Sequence, residues 1–221
     1  MAQILALGDC NMSGDVHFKN NSYVERFAKR IDLSYINAGY TMSTTKEMKY
    51  FFQDYYTNET QLVLIQYGLV DSWKTFKYSP YVLYYPDNIK RKIFRKIVKK
   101  YKKLARKWGL NDRFGTKNVV SIQEYQNNIE KLIKQTTSKI ILIDTIPNKD
   151  LSRNGEIKRY NNILNDLSNN YSNCYKLDLY DEFLKNFNNY YLDDTHMNDI
   201  GYECVTNKLL DLHSKIEGKI R

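Results

Sequence analysis

Four short polar motifs hold the side chains of this sequence that could perform chemistry together. A cysteine, Cys10, follows the first apolar run, and His196 stands near the other end, three positions after Asp193. A histidine can take the proton of a thiol, and a carboxylate can fix the imidazole tautomer and stabilise its charged form. These residue types therefore predict a cysteine nucleophile activated by a histidine, if the fold brings them together.

The other two motifs are Asn37-Ala38-Gly39 and Gly68-Leu69-Val70-Asp71, and each follows a short apolar run. Some of these runs are apolar at successive positions, which is typical of strands buried on both faces of a parallel sheet. The segments between the runs show helical periodicity. We expect strands at residues 3–7, 35–37, 62–67, 139–144 and 175–179, and helices at residues 23–31, 44–56, 121–136, 156–167 and 198–216.

This alternation predicts a three-layer α/β/α fold around a five-stranded parallel sheet in the flavodoxin-like order 2-1-3-4-5. A length of 221 residues suits a single domain, residues 1–221. The carboxyl ends of parallel strands lie along one edge of the sheet, and sites are built there. The motifs at Cys10, Gly39 and Asp71 should therefore converge, and the loop that carries His196 can reach the same edge.

The order of the four motifs resembles that of the SGNH (GDSL-type) hydrolase family over nearly the whole chain. In that family the first motif is Gly-Asp-Ser, the second supplies a glycine, the third is Gly-x-Asn-Asp and the last is Asp-x-x-His. The matching positions here are Gly8-Asp9-Cys10, Gly39, Gly68-Leu69-Val70-Asp71, and Asp193 with His196. The last motif continues into Asn198-Asp199-Ile200-Gly201-Tyr202, and it is the most specific of the four.

The resemblance implies a catalytic triad of Cys10, His196 and Asp193, with an oxyanion hole formed by the backbone N–H groups of Cys10 and Gly39. No metal or other cofactor is expected, because the histidines lack the spacing of metal ligands. Asp194 is a rival of Asp193, although the motif spacing favours Asp193. The polar residues expected to support the site are Asp9, Asn11, Asp71 and Asp194.

Two positions depart from the family motifs. Cys10 stands for the serine and keeps a nucleophile there; a cysteine introduced in place of a natural serine would give the same pattern. Val70 stands for an asparagine of the oxyanion hole, and losing one such donor can cost ~2.7–4 kcal/mol.

The acceptor of the acyl group stays open. An esterase or deacetylase acting on O-acylated carbohydrate is the leading interpretation, because a thioester on Cys10 can pass to water. Transfer to a sugar hydroxyl would make an O-acyltransferase of polysaccharide modification, with acetyl-CoA as one candidate donor. Loss of catalysis would leave a carbohydrate-binding or membrane-docked module.

The positive charge of the chain is concentrated in one predicted helix. It lies in an insertion at residues 78–118, which is long enough to form a lid or one side of a cleft. Residues 89–107 contain eleven Lys or Arg and no Asp or Glu. Because the formal net charge of the whole chain is +9, the rest of the chain has a net charge of 9 − 11 = −2. Such a basic amphipathic helix could lie on an anionic membrane surface, bind a lipid-linked glycan, or pack its apolar stripe on the domain. Nucleic acid is less expected, because no binding motif accompanies the charge.

The composition predicts a protein of the reducing cytoplasm. The basic helix leaves attachment to the inner face of the membrane as an open alternative. An odd set of three cysteines argues against a disulfide framework, and Cys174 and Cys204 are expected to be packing residues. The first apolar run is too short for a signal peptide, and no apolar stretch approaches the ~18 residues of a membrane span.

Overall fold

The computed structural model describes residues 2–14 and 17–218, so Met1 and residues 219–221, the ends of the predicted domain, lie outside it. A short 3₁₀ helix occupies Leu151–Arg153. In chain order the other elements are β1 (Ile4–Gly8), α1 (Cys10–Ser13), α2 (Tyr23–Arg30), β2 (Tyr35–Asn37), α3 (Thr45–Tyr55), β3 (Leu62–Gln66), β4 (Lys74–Phe76), α4 (Ile89–Lys107), α5 (Leu110–Phe114), β5 (Thr116–Asn118), α6 (Ile122–Ile133), β6 (Lys139–Ile143), α7 (Asn154–Asn170), β7 (Cys174–Leu177), α8 (Tyr180–Lys185), α9 (Phe187–Tyr190) and α10 (Asp199–Gly218).

Five strands form a parallel sheet in the order β2-β1-β3-β6-β7. Counted within this sheet alone, the order is 2-1-3-4-5, so the predicted fold class is confirmed. In the register of the central strands, Ile4 pairs with Tyr35 on one side and with Leu62 on the other. The strand predicted at residues 35–37 coincides with β2, and the other four differ from the observed strands by one or two residues at their ends. The five helices predicted around the sheet differ from the observed helices by up to three residues.

Alternate side chains of the strands enter two separate hydrophobic cores. Ile4 and Ala6 of β1 belong to the core that also contains residues of α2 and α10. Leu5 and Leu7 belong to the other core, with residues of α3, α6 and α7. Because both faces of the sheet bury apolar side chains, the sheet is the middle of three layers, and its strands are apolar at successive positions.

The insertion is closed by a two-stranded ribbon that no sequence pattern predicted. β4 pairs antiparallel with β5, so that Lys74 lies opposite Asn118. β4 lies just before the predicted bounds of 78–118 and β5 lies at their end, so the ribbon joins the two ends of this insertion. Its first part runs along α3, where the buried carboxylate of Glu47 accepts hydrogen bonds from Tyr81 Oη and Tyr84 N, each at 2.8 Å.

The basic helix α4 leaves most of its apolar side chains in solvent. Val98 and Ala105 are buried, at 7% and 1% exposure. Ile93 and Ile97 are 55% and 56% exposed, which contradicts the alternative in which the apolar stripe packs on the domain. Of the helices in residues 2–14 and 17–218, none combines the length and the apolar character needed to cross a bilayer.

Candidate active site

Cys10 is the first residue of α1, directly after the carboxyl end of β1, and it is 6% exposed. Asp9 caps this helix, because its Oδ1 accepts a hydrogen bond from Asn11 N at 3.1 Å. Burial raises the pKa of Asp9 to about 7. The hydrogen bonds from the backbone N–H groups of Asn11 and Leu69 and the charge of His196 act in the opposite direction and lower this pKa, but burial outweighs them. The electrostatic interaction of Asp9 with His196 places the two predicted motifs in one neighbourhood.

Gly39 follows β2 and packs against the backbone of α1. A Cβ atom there would lie 2.5 Å from Ser13 N and 2.9 Å from the carbonyl carbon of Met12, so a larger residue would push α1 away. The N–H of Gly39 donates to Asn37 Oδ1 at 3.0 Å, and Nδ2 of the same amide donates to Met12 O at 3.0 Å. The use of the Gly39 N–H in an oxyanion hole stays a prediction, and it requires that Asn37 release or share this donor.

Asp71 lies in the loop after β3 and fixes that loop to the start of α3. Its Oδ1 accepts hydrogen bonds from Thr45 N at 3.0 Å and Thr45 Oγ1 at 2.7 Å. Its Oδ2 is buried and has no hydrogen-bond partner among the described residues. Burial raises the pKa of Asp71 to about 7, although the two hydrogen bonds from Thr45 act to lower it. The neighbouring Val70 is buried, and its side chain has no polar atom.

The raised pKa of Asp71 predicts a cost to folding that grows with pH. The folded protein holds the Asp71 proton more tightly than the unfolded chain, whose carboxyl has the ordinary pKa of 3.8. The stability that this proton contributes is complete below that value and is lost as the pH rises to about 7. Asp71→Asn keeps an acceptor for Thr45 and never ionises. We expect its free energy of unfolding to exceed that of the wild type by ~2–4 kcal/mol at about pH 8, and to match it near pH 4.

Urea unfolding curves of both proteins at the two pH values measure this difference. Asp166→Asn changes an exposed carboxylate of α7, so it is the matched control and should shift neither curve. An Asp71→Asn protein whose advantage is the same at both pH values would show that ionisation of Asp71 is not the cause.

Asp193 and His196 form a hydrogen-bonded pair, with Nδ1 of the imidazole 2.7 Å from Asp193 Oδ2. The other oxygen, Oδ1, accepts hydrogen bonds from the backbone N–H groups of Thr195 and His196, both at 2.7 Å. Partial burial opposes ionisation of Asp193, but the hydrogen bonds from the His196 side chain and the two N–H groups outweigh it and hold the pKa of Asp193 below its usual value. Because a charged carboxylate can only accept, Nδ1 carries a hydrogen and Nε2 is left as the basic nitrogen.

The loop that carries His196 is attached beside Cys10. Asn11 Nδ2 donates to the carbonyl oxygen of Thr195 at 3.2 Å, and Asn11 Oδ1 accepts the N–H of Met197 at 3.4 Å. Thr195 and Met197 flank His196, and Asn11 follows Cys10 in α1. The Asn11 amide thus joins the two distant ends of the chain, and both of its polar atoms are engaged in this contact.

The loop after β6 supports the His196 loop from a second direction. Asn148 Nδ2 donates to Thr195 Oγ1 at 3.0 Å, and Lys149 N donates to the carbonyl oxygen of Asp194 at 2.9 Å. The side chain of Asp194 is exposed, and its carboxylate makes no hydrogen bond within residues 2–14 and 17–218. The geometry therefore pairs His196 with Asp193 and not with its neighbour.

Arg153 is a charged residue at this edge to which no sequence motif pointed. Its guanidinium carbon lies 4.8 Å from the centroid of the Trp73 ring, and its Nη2 donates to Leu69 O at 3.1 Å. The N–H of Leu69 in turn bonds to Asp9, and the charge of Arg153 interacts with Cys10. The one available signal was its position after β6, whose carboxyl end lies along the same edge of the sheet.

The other cysteines differ from Cys10 in place and in environment. Cys174 begins β7, at the amino edge of the sheet, and burial raises its pKa to about 12. Cys204 lies in α10, and burial raises its pKa as well. Across the described ranges, no group of three or more His, Cys, Asp and Glu side chains is arranged to hold a metal ion.

Residues 6–204 match the model of the GDSL-like lipase/acylhydrolase family. The chain belongs to this family. The matched part of this GDSL-family protein extends from β1 into α10, so it contains Cys10, Gly39, Asp71, Asp193 and His196. Among curated proteins, none matches the chain by sequence.

Several solved structures share the fold of this GDSL-family protein at low sequence identity. A lipolytic protein of the G-D-S-L family from Veillonella parvula has a TM-score of 0.64 at 13% identity, and the alignment covers 96% of this chain and 97% of that chain. Axe2, an acetylxylan esterase from Geobacillus stearothermophilus, has a TM-score of 0.65 at 16% identity, and the alignment covers 95% of this chain and 93% of Axe2. The esterase EstA from a Pseudoalteromonas species has a TM-score of 0.56 at 15% identity, and the alignment covers 97% of this chain and 98% of EstA. These likenesses show a common fold.

Proposed function

We propose that this GDSL-family protein is an ester hydrolase in which Cys10, His196 and Asp193 form the catalytic triad. The proposal depends on one observation: the loop around His196 is attached to Asn11, the neighbour of Cys10. The 2.7 Å contact between His196 Nδ1 and Asp193 supports it, because it leaves the other ring nitrogen as a base. Cys10 takes the place of the family's serine, and a thiol beside an oriented imidazole is an activated nucleophile.

In this mechanism His196 takes the thiol proton, and the Cys10 sulfur attacks the carbonyl carbon of the ester. The carbon–sulfur bond forms, the carbon–oxygen bond to the alcohol breaks, and His196 gives the proton to the departing alkoxide. Water then attacks the thioester while His196 accepts its proton. The carboxylic acid leaves as the carbon–sulfur bond breaks, and the proton returns to Cys10. Asp193 stabilises the imidazolium in both steps.

The negative charge that develops on the carbonyl oxygen needs hydrogen-bond donors, and this chain lacks one side-chain donor that the family has. The backbone N–H groups of Cys10 and Gly39 are the proposed oxyanion hole, and Val70 takes the place of the family's asparagine without supplying a third donor. Arg153 is the proposed compensation, because its Nη2 donates to Leu69 O at 3.1 Å, next to Val70, and its charge interacts with Cys10. A neighbouring cation favours both the thiolate and the developing oxyanion.

We propose an O-acylated carbohydrate with a small acyl group as the substrate. A fold neighbour, Axe2, is described as an acetylxylan esterase, and this supports the choice. Tyr40 follows Gly39, is 37% exposed and lies with its ring centroid 6.2 Å from that of Tyr85, so aromatic surface is available for a sugar ring. If a sugar hydroxyl replaced water as the acceptor, the same thioester would serve an O-acyltransferase with acetyl-CoA as donor.

Intact-mass spectrometry after incubation with p-nitrophenyl acetate tests the nucleophile. We expect a single acetyl adduct on the wild type that neutral hydroxylamine removes, as it does from a thioester. Cys10→Ala should lack this adduct, and the matched control Cys204→Ala should keep it. A wild type that neither forms the adduct nor releases p-nitrophenol would support the inactive binding module instead.

A parallel incubation with acetyl-CoA and a glycan separates the two acceptors. Release of acetate from acetylated xylan, without acetylation of the free glycan, would support the hydrolase. Acetylated glycan that depends on Cys10 would replace the hydrolase by the transferase.

A further inference from the structure

The helix α4 rests on the rest of the protein along a narrow strip. Val98 and Ala105 are its buried residues, and its main packing partners are α5 and β4. Arg95 anchors its first half, because Nη1 donates to Leu83 O at 2.8 Å and Nη2 to Asp87 Oδ1 at 2.7 Å. Three sides of a 19-residue helix are therefore left in contact with solvent.

The apolar side chains beside this strip are exposed in a continuous row. Ile89 is 76% exposed, Ile93 55%, Ile97 56% and Trp108 65%. The spacing of four residues places the isoleucines on one side of the helix, and Trp108 at the C-cap continues the row. A contiguous exposed apolar surface of this kind marks an interaction site in a soluble domain.

The lysines and arginines of α4 lie next to this row and are mostly without counter-charges. Of the eleven, Lys92 and Arg95 pair with Asp87, and no other α4 side chain forms an ion pair in the described part of the chain. Partial burial and the charges of Lys117 and Arg106 lower the pKa of Lys102, so like charges crowd this helix. A negatively charged surface would relieve that repulsion.

We propose that α4 is a docking helix for the surface of an anionic lipid bilayer. The exposed isoleucines and Trp108 would enter the boundary between headgroups and acyl chains, while the lysines contact anionic headgroups. A nucleic acid would neutralise the charge but would leave the row of isoleucines in water. A second copy of the chain would bring two strongly basic helices together. A bilayer offers both anionic headgroups for the lysines and an apolar boundary for the isoleucines. Docking would hold the insertion, and with it the loop after β3, against the membrane surface.

Flotation of the full chain with lipid vesicles tests this proposal. We expect binding to vesicles that contain phosphatidylglycerol, little binding to pure phosphatidylcholine, and loss of binding as salt is raised. Intrinsic fluorescence should shift to shorter wavelength on binding, because Trp108 leaves water; a Trp73→Phe background isolates this signal.

Two double variants separate the two contributions. Ile93→Ser with Ile97→Ser should weaken binding about tenfold or more through the lost apolar contact, and Lys96→Gln with Lys100→Gln should weaken it by a similar factor. These positions are exposed, so the fold should be retained. The matched controls are Ile200→Ser, an isoleucine 58% exposed outside α4, and Lys131→Gln with Lys185→Gln, and both should bind as the wild type does.

The proposal is overturned if anionic vesicles fail to bind at low salt, or if the isoleucine variant binds them as well as the wild type does. Tighter binding to duplex RNA or DNA than to anionic vesicles would replace the bilayer by a nucleic acid. None of these outcomes depends on ester hydrolysis, so the test is independent of the proposed activity.

Discussion

Hydrolysis of p-nitrophenyl acetate should fall by about 10³-fold or more in Cys10→Ala and by a comparable factor in His196→Ala. The sulfur forms the thioester, and the imidazole moves the proton in both half-reactions, so each variant stops the same sequence of steps. The double variant should therefore be no slower than either single one, as expected for residues that act as a unit. Initial rates above the uncatalysed rate measure all three.

The two single variants should differ in what accumulates. His196→Ala keeps the thiol, so slow acetylation of Cys10 can continue while hydrolysis of the thioester lacks its base, and the acetyl adduct should persist. Cys204→Ala is the control and should hydrolyse the ester at the wild-type rate. Additive losses in the double variant would mean that Cys10 and His196 act in separate steps, against a shared triad.

The sheet and the edge where the site forms are predictable from the sequence because of burial. Runs such as Leu62-Val63-Leu64-Ile65 are apolar at every position only when both faces of a strand are covered, and this indicates a parallel sheet. The parallel arrangement then brings the ends of β1, β2 and β3 together, and with them Cys10, Gly39 and Asp71. Local periodicity thus carries information about a site that spans most of the chain.

Other features depend on contacts that local periodicity does not contain. The strands β4 and β5 have three residues each and no clear alternation, and they pair only because the two ends of the insertion meet. The pattern of α4 shows an apolar stripe but not what covers it, and the structure leaves most of that stripe exposed. Loop conformation also sets the hydrogen bond from Gly39 N to Asn37 and the one from Arg153 to the carbonyl oxygen of Leu69.

Asp193→Asn should lower kcat/KM for p-nitrophenyl acetate by about 10²–10⁴-fold, while Asp194→Asn should stay within about twofold of the wild type. The asparagine can keep its oxygen on the backbone N–H groups of Thr195 and His196, so the loop is retained. Its NH₂ group would then face Nδ1 of His196, which must become an acceptor. The ring hydrogen moves to Nε2, and the imidazole can no longer take the proton of Cys10.

This explanation has a signature that a merely structural role would not produce. Because hydroxide can remove the thiol proton without His196, raising the pH should restore part of the acylation rate of Asp193→Asn, whereas a displaced loop would not recover. Asp194 is the matched comparison, since the two carboxylates are adjacent and only that of Asp193 bonds to the ring. A greater loss in Asp194→Asn than in Asp193→Asn would mean that the loop rearranges in the working enzyme and that the pair seen at 2.7 Å is not the catalytic one.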